Sequence, residues 1–309
     1  MNILKLLPPD TRIGLKNQES LEKIISENPS AFKNALKITK QQVYRYKTGK
    51  TRLSKEQLET LSKSFGFAWK SCISGYGLEG STHEIKLPES IEISENISWL
   101  LGFHSTESSE TPHSFGVCNT EFALIEKSKK ALIELGIPNK MLQLEIRYKS
   151  DEEMQEISNK HNFDLNVRFR KMDPNTLMKR PLFTLRVSSR LIKEYLKGLE
   201  LNITSNYEKY GKSVQAAFLQ GVYDADGWFN KEKKLVFLSQ KDGKFVDMIS
   251  EFMKSFDIKI RREYWKYRDF HVCVVVFGKN GENVKRFVDN IGFSHPEKAT
   301  RVKESLWPA

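Results

Sequence analysis

The feature that most constrains this chain is a repeated segment with small residues at every fourth position. The two copies run from Ser98 to Glu107 and from Ala217 to Gly227. Their small residues are Ser98, Gly102 and Thr106 in the first copy, and Ala217, Gly221 and Ala225 in the second. This spacing makes a smooth stripe along one face of a helix. Two such stripes allow helix backbones to pack very close together, so we expect the fold to be built around two helices in contact.

The repeat continues beyond these segments. Each copy reaches a carboxylate, Glu107 or Asp226, and then a short strand that ends near Asn119 in the first copy and near Gln240 in the second. An amphipathic helix, two more strands and a further helix follow in each copy. The offset between the copies stays at 240 − 119 = 121 positions through the strand and the helix after it. A register held over some twenty positions indicates two copies of one structural unit.

The second segment resembles a known signature. Leu219-Gln220-Gly221-Val222-Tyr223-Asp224-Ala225-Asp226-Gly227 resembles the nonapeptide of the LAGLIDADG homing endonucleases, and the first copy resembles a divergent version with glutamate as its acid. The resemblance covers about residues 91 to 309. It implies an α+β fold of two αββαββα halves related by a pseudo-twofold axis, with antiparallel sheets that form a saddle over the DNA major groove. In the first copy, Ser105 stands in place of the motif's first aspartate and Ser108 in place of its closing glycine.

The two acids carry the expected chemistry. A carboxylate at a helix C-terminus is unfavourable by about 0.3–1 kcal/mol, and two such acids across a tight interface repel each other. A divalent cation removes both penalties, and carboxylate oxygens beside phosphate oxygens suit Mg²⁺. We therefore expect Glu107 and Asp226 to be catalytic and to bind Mg²⁺ or another divalent cation such as Mn²⁺. The alternative is that both are surface helix ends.

The resemblance implies three further catalytic residues. Asn119 and Gln240 would position the attacking water, and Lys298, in His295-Pro296-Glu297-Lys298, would stabilise charge on the phosphate. Each has a structural alternative: the two amides as turn residues at strand ends, and the lysine as a solvated helix residue.

Basic and aromatic residues mark the predicted strands. Those expected to contact DNA in or beside these strands are Arg147, Lys149, Arg168, Arg170, Arg186, Arg261, Arg262, Tyr264, Lys266, Arg268 and His271. Alternation along Arg168-Phe169-Arg170 puts basic side chains on one face of a sheet. The acidic insertion from Asp151 to Lys160 is expected to be a solvent-facing helix.

The sequence of the N-terminal part predicts a structural unit unlike the two repeats. Residues 20 to 66 have the pattern of short helices, and Thr39 is expected to cap a helix from Lys40 to Lys47 that stops at Gly49. This stretch resembles the recognition helix of phage-repressor-like helix-turn-helix domains. Its outward residues, expected to bind DNA, are Lys40, Gln41, Gln42, Tyr44 and Arg45. The alternative is a small helical bundle with a solvated polar face.

We therefore predict four segments. They are an all-α helix-turn-helix domain (1–68), a glycine-interrupted linker (69–90), and two repeats (91–200 and 201–309).

The charge and hydrophobic content of the chain indicate what kind of partner it binds. The formal net charge is +11 and 39% of the residues are hydrophobic, which is typical of a folded protein that binds a polyanion. The longest dense apolar run, Val272 to Phe277, suits a strand and is too short to span a membrane. The start of the chain lacks the pattern of a secretory signal, and three scattered cysteines indicate a reducing compartment. We expect a cytoplasmic, nucleoid-associated protein.

The resulting functional prediction is a site-specific double-strand DNA endonuclease. We expect a monomer with no obligate protein partner, because both halves lie on one chain. Two alternatives stay open: a non-catalytic transcription regulator, since sporulation regulators resembling this family pair an inactive LAGLIDADG domain with a helix-turn-helix, and an RNA maturase using the same basic sheets.

Overall fold

The computed structural model describes residues 1–16, 18–77, 85–173, 175–241, 243–267, 270–277 and 282–306, and the side chains of 264–267 and 270–277 lie outside that description. The chain divides into two compact units. One comprises Met1–Ile91 with Arg190–Tyr195, and the other Glu92–Ser189 with Leu196–Ala309. The predicted domain bounds stay predictions.

The first unit is mainly helical. Its elements are β1 (Arg12–Leu15), α1 (Glu19–Glu27), α2 (Pro29–Leu36), α3 (Lys40–Lys47), α4 (Lys55–Phe65) and β2 (Ile73–Gly77). The all-α prediction is wrong here, because β1 and β2 form an antiparallel pair and β2 lies within the predicted linker. Ile13 and Tyr76 face each other in this pair and are buried. The glycines around Tyr76 interrupt the hydrophobic alternation, so the sequence pattern of a strand is weak there.

Helix α3 has the predicted ends. The Thr39 hydroxyl accepts from the Gln42 amide and the Gln42 side chain accepts from the Thr39 amide, which is a complete capping box. After the helix, Gly49 has φ +66°, the left-handed conformation that glycine adopts most easily. Helices α2 and α3 are joined by residues 37 to 39 alone.

The second unit contains both repeats. The first repeat comprises α5 (Glu95–His104), β3 (Phe115–Asn119), α6 (Phe122–Glu134), β4 (Leu142–Tyr148), α7 (Asp151–Lys160), β5 (Asn166–Lys171), β6 (Leu182–Val187) and α8 (Arg190–Ser205), whose first residues group with the other unit. The second comprises α9 (Lys212–Asp226), β7 (Gly227–Asn230), β8 (Leu235–Lys241), α10 (Lys244–Lys254), β9 (Ile260–Tyr267), β10 (Phe270–Phe277), α11 (Glu282–Asn290) and α12 (Pro296–Leu306).

Each repeat builds one four-stranded sheet. The strand order is β3-β6-β4-β5 in the first sheet and β7-β8-β10-β9 in the second. The α+β prediction is confirmed, and the second repeat follows the αββαββα order before α12. Equivalent strands take equivalent places, since β8, β10 and β9 correspond to β3, β6 and β4.

The first repeat departs from the predicted order and from a purely antiparallel sheet. Strands β4 and β5 are parallel, and a parallel pair needs a crossover connection, which α7 supplies. In the described stretch between Glu107 and Phe115 there is no counterpart of β7, only the isolated bridges Ser108↔Val117 and Thr111↔Ser114. The acidic insertion is helical, as predicted, and buries only Ile157, but it also carries the chain to an added edge strand.

Candidate active site and nucleic-acid interface

The two motif helices, α5 and α9, pack with their backbones in near contact. A Cβ atom added to Gly102 would lie 2.0 Å from the carbonyl oxygen of Phe218, and one added to Gly221 would lie 2.1 Å from that of Trp99. Neither position tolerates a side chain. The small-residue stripes therefore do what their spacing predicts.

This close packing brings the two predicted catalytic acids into one electrostatic environment. Asp226 is the last residue of α9, whereas Glu107 lies in the turn that follows α5. Burial raises the pKa of Glu107 to about 7, and the charge of Asp226 contributes to that rise. Burial also raises the pKa of Asp226 above its usual range. Both carboxylates are thus held where their charge is poorly solvated.

Lys298 joins the two acids from α12. Its ammonium donates to the carbonyl oxygens of Tyr223, Asp224 and Ala225 at 3.1, 2.6 and 3.1 Å, and all three belong to the last turn of α9. Burial lowers the pKa of Lys298 to about 8, while the charges of Asp224, Asp226 and Glu107 oppose that change. Lys298 is therefore near the acid pair and is not the solvated helix lysine of the alternative interpretation, and its catalytic role stays a prediction.

The two predicted strand-end amides differ. Gln240 donates a hydrogen bond from its Nε2 to Oδ2 of Asp226. Asn119 instead accepts from the Glu121 amide at 2.9 Å, which is its alternative role as a turn residue. In the first repeat the strand residue beside the acid is Cys118, whose Sγ lies 3.9 Å from Oε2 of Glu107.

Asp224 is a structural residue that the sequence reasoning missed. It is fully buried and accepts from the Trp99 indole at 2.7 Å, from the Ser294 and His295 amides at 2.9 Å each, and from the Ser294 hydroxyl. A buried carboxylate is tolerated only with such partners. The available signal was the spacing Asp224-Ala225-Asp226, because acids two apart on a helix point in different directions.

Lys127 of α6 completes this region. Its ammonium donates to Gln220 at 3.0 Å and to Ser294 at 2.9 Å, and lies 4.3 Å from the centre of the Trp99 ring. Burial lowers its pKa to about 8, and the charge of Asp224 counteracts part of that shift. A lysine of the first repeat is therefore packed against the motif helix of the second.

The first sheet presents an open basic face. Along β4 the residues Leu142, Leu144 and Ile146 are buried, so the alternate residues project from the other side. Cross-strand pairing places Arg186 opposite Gln143, and parallel pairing places Arg168 and Arg170 beside Glu145 and Arg147. Four of the predicted DNA-binding arginines thus share one face: Arg147, Arg168, Arg170 and Arg186. Cys118 lies on it too, through its pairing with Thr184, which connects this face to Glu107. Lys149 is exposed just after β4.

In the second sheet, the side chains of two neighbouring arginines point to opposite faces. The Arg262 guanidinium donates to Asp247 and Ser250 of α10 at 2.7 Å each, so Arg262 holds the helix that covers the sheet. Arg261 points away from that helix and is exposed. The side chains of Tyr264, Lys266 and His271, and the residue Arg268, lie outside the described part of the chain.

In the first unit, helix α3 directs the five predicted residues Lys40, Gln41, Gln42, Tyr44 and Arg45 outward. All five are exposed, whereas Tyr46 is buried.

A divalent cation fits the acid pair only if the substrate supplies some of its ligands. Among the described residues, no group of three or more His, Cys, Asp and Glu side chains forms a metal site by itself. Two partly buried carboxylates with raised pKa values still lack full charge compensation. Mg²⁺ is commonly held by one or two carboxylates together with phosphate oxygens and water. Glu107 and Asp226 would be the protein ligands, and the substrate would supply the rest.

Residues 213–292 match the model of the LAGLIDADG-like domain family. The match spans α9 through α11, so the second repeat is similar to LAGLIDADG-like domains. The solved structure of I-DmoI in complex with DNA and Mn has 17% sequence identity and a TM-score of 0.44, and the match covers 66% of this chain and 99% of that chain. Full-length DUF199/WhiA from Thermatoga maritima has 12% identity and a TM-score of 0.43, with 72% of this chain and 62% of that chain covered. No curated protein matches the chain.

A membrane-spanning helix is not found either: within the described ranges, no helix has the length and apolar character that crossing a bilayer requires.

Proposed function

We propose that residues 92–309 bind double-stranded DNA and cleave both strands at a defined site in a reaction that depends on Mg²⁺ or Mn²⁺. One observation carries the proposal: Asp226 at the end of α9 and Glu107 in the turn after α5 lie beside two helices packed backbone to backbone, and burial together with the charge of Asp226 raises the pKa of Glu107. An arrangement that costs stability in the free protein is expected where a cation and phosphates will complete it.

The chain's own residues define the chemistry at the site. Glu107 and Asp226 would each face one scissile phosphate, and a cation held there would activate water and stabilise the leaving 3′ oxygen. Gln240, already bonded to Asp226, would orient water in the second half. Lys298 lies close enough to both acids to place positive charge beside the phosphates. In the first half Asn119 bonds locally, so we propose no role in water positioning for it.

Arginines on the open faces of the two sheets would hold the duplex, with Arg147, Arg168, Arg170, Arg186 and Arg261 as contacts. Helix α3 would act as the recognition helix of a helix-turn-helix, since glutamine and arginine side chains can each read base edges in the major groove. Because one chain supplies both motif helices, we propose a monomer.

A second candidate, a non-catalytic DNA-binding regulator, is favoured by the local structure around Glu107. The Ser105 hydroxyl donates to the carbonyl of Gly102 at 2.7 Å, and the Cys118 amide donates to the carbonyl of Glu107 at 3.3 Å. The first acid is thus fixed in a turn beyond α5, in an arrangement unlike that of Asp226. Such a protein would bind its site and leave it intact.

A DNA cleavage assay distinguishes the endonuclease from the non-catalytic regulator. A binding site is first selected from a randomised duplex library in Ca²⁺, and the selected duplex is then incubated with Mg²⁺ or Mn²⁺. Asp226→Asn should abolish cleavage and keep affinity within about tenfold, because the amide keeps the shape and loses the charge. Asp289→Asn, a change at an exposed residue of α11, is the matched control and should cut normally. Tight binding by the unchanged protein without cleavage in either metal would establish the regulator instead.

A further inference from the structure

Each sheet has a glutamate at the equivalent position of its strand pairing. In the first sheet, Glu145 lies opposite Thr184, which lies opposite Cys118. In the second, Glu263 lies opposite Val274, which lies opposite Ser239. Cys118 and Ser239 are 239 − 118 = 121 positions apart, which is the offset between the repeats. Glu145 and Glu263 are therefore equivalent residues of the two halves.

Both glutamates project from the open face of their sheet. Glu145 alternates with the buried Leu144 and Ile146, so it shares the face of Arg147. Arg262 is bonded to α10, so its neighbour Glu263 points to the side away from the covering helix. These are the faces that the proposed function assigns to DNA.

Each glutamate is held by an arginine two residues away on its own strand. The Arg147 Nε donates to Oε1 of Glu145 at 2.7 Å, and Arg261 forms an ion pair with Glu263. The side chains of Glu145 and Glu263 keep 12% and 30% of their surface exposed. The carboxylates are thus fixed in orientation and still reachable.

A surface that binds only phosphate gains nothing from an ionised carboxylate, because the two negative charges repel each other. Burial alone would raise the pKa of Glu145, but the hydrogen bond from Arg147 and the charges of Arg147, Arg186 and Arg170 outweigh it and hold that pKa below its usual range. The carboxylate would repel a phosphate, yet it has more acceptor sites than one arginine fills. Base edges in the major groove offer the matching donor, because cytosine presents its N4 amino group there and glutamate accepts from it.

We propose that Glu145 and Glu263 are a pair of base-reading carboxylates, each accepting from the amino group of a cytosine in its own half of the target. The inference rests on the proposed function and extends it from DNA binding to a defined element of sequence. Since the two residues are equivalent, the two cytosines would lie at equal distances from the centre of the site, one on each strand.

The test compares sites selected in Ca²⁺ from a randomised duplex library by the unchanged protein, Glu145→Gln and Glu263→Gln. The unchanged protein should prefer cytosine at two positions equidistant from the centre. Each variant should lower discrimination at one of these positions by about 5- to 150-fold and leave the other unchanged. The new preference should move toward adenine, which pairs with a glutamine amide. Glu152→Gln, at an exposed residue of α7, is the control and should leave both positions unaltered.

The opposing outcomes are distinct. An equal loss of affinity for every sequence would mean that the glutamates only hold Arg147 and Arg261, and it would overturn the inference while leaving the proposed function in place. An unchanged preference in both variants would overturn it in the same way. If the unchanged protein selects no sequence at all, the inference and site-specific cleavage fall together.

Discussion

Two aspartates two residues apart show how position decides the role of one side chain. Asp224 is fully buried and accepts four hydrogen bonds, so it acts in packing. Asp226, at the end of the same helix, accepts one from Gln240 and lies beside Lys298. Of these two aspartates, only Asp226 is placed to act with Glu107 in the proposed reaction.

Glu107 predicts a dependence of stability on pH. Its pKa in the folded protein is about 7, above its ordinary value of 4.5, so the folded state holds this proton more tightly than the unfolded state does. The resulting stabilisation is complete below pH 4.5 and is lost as pH rises to 7. Glu107→Gln should therefore raise the free energy of unfolding by about 2–3 kcal/mol at pH 8 and change it little at pH 4.

Denaturant titrations at the two pH values measure this difference. Glu134→Gln, also in the first repeat and exposed, is the control and should behave alike at both. An equal effect of Glu107→Gln at pH 4 and pH 8 would contradict the assignment.

Two kinds of sequence information predicted which residues meet at the acid pair: the repeat indicated Glu107, Asp226 and Gln240, and the family resemblance indicated Lys298. Glu107, Asp226, Gln240 and Lys298 come together as expected. The roles of Asp224 and Lys127 depend on burial between elements far apart in the chain, and a local pattern does not record that burial. Asn119 is equivalent to Gln240 in register but accepts from the Glu121 amide, a local hydrogen bond of the turn after β3 that the repeat pattern does not record.

The motif helices depend on glycine for their close approach. Gly221→Ala would place a Cβ 2.1 Å from the Trp99 carbonyl and 2.6 Å from the Phe103 amide, and both are backbone atoms that cannot rotate away. We expect a loss of at least about 3 kcal/mol in the free energy of unfolding.

Thermal or chemical denaturation checks this loss. Gly211→Ala is the control, since an added Cβ there meets nothing within 4 Å, and it should cost less than about 1 kcal/mol. Equal stability of the two variants would rule out the packing described for α5 and α9.

Helix α3 carries a separate prediction about recognition. Arg45 is exposed on this helix, and Arg45→Ala should weaken binding to the selected site by about 1–3 kcal/mol if it reads a base edge. Lys63→Ala in α4, also exposed, should have little effect. Gel-shift titrations on specific and scrambled duplexes measure both variants, and an equal loss on the two duplexes would make Arg45 a phosphate contact.

Elements were predictable where periodicity or capping was strong. The limits of α3 and the nature of α7 follow from Thr39 and from the acidic, helix-favouring stretch after Ser150. Strand direction was not predictable: β5 runs parallel to β4 because α7 returns the chain, and alternation along Arg168-Phe169-Arg170 is the same for either direction.

The whole molecule carries a net charge of +11, and Arg168 and Arg170 lie exposed on the open face of the first sheet. If 6–10 phosphates are contacted, the logarithm of the binding constant should fall with the logarithm of salt concentration with a slope of about −5 to −9. Affinities measured between 50 and 200 mM salt, a range over which such contacts cost about 10³- to 10⁵-fold, give the slope.

A variant that lacks two of these positive charges tests whether the slope reports phosphate contacts. The double change Arg168→Ala and Arg170→Ala should make the slope shallower by about 2. A slope near zero in the unchanged protein would exclude nucleic acid as its partner.

The bond from Trp99 to Asp224 has a consequence for the relation between the two repeats. By the repeat offsets, Phe218 stands in the second repeat where Trp99 stands in the first, and Met248 stands where Lys127 does. A homodimer made of second repeats alone would bury Asp224 twice, facing phenylalanine and methionine, with neither the indole donor nor the ammonium charge. The two halves are therefore complementary at this position, and a pair of second repeats would not reproduce the contacts that Trp99 and Lys127 supply from the first.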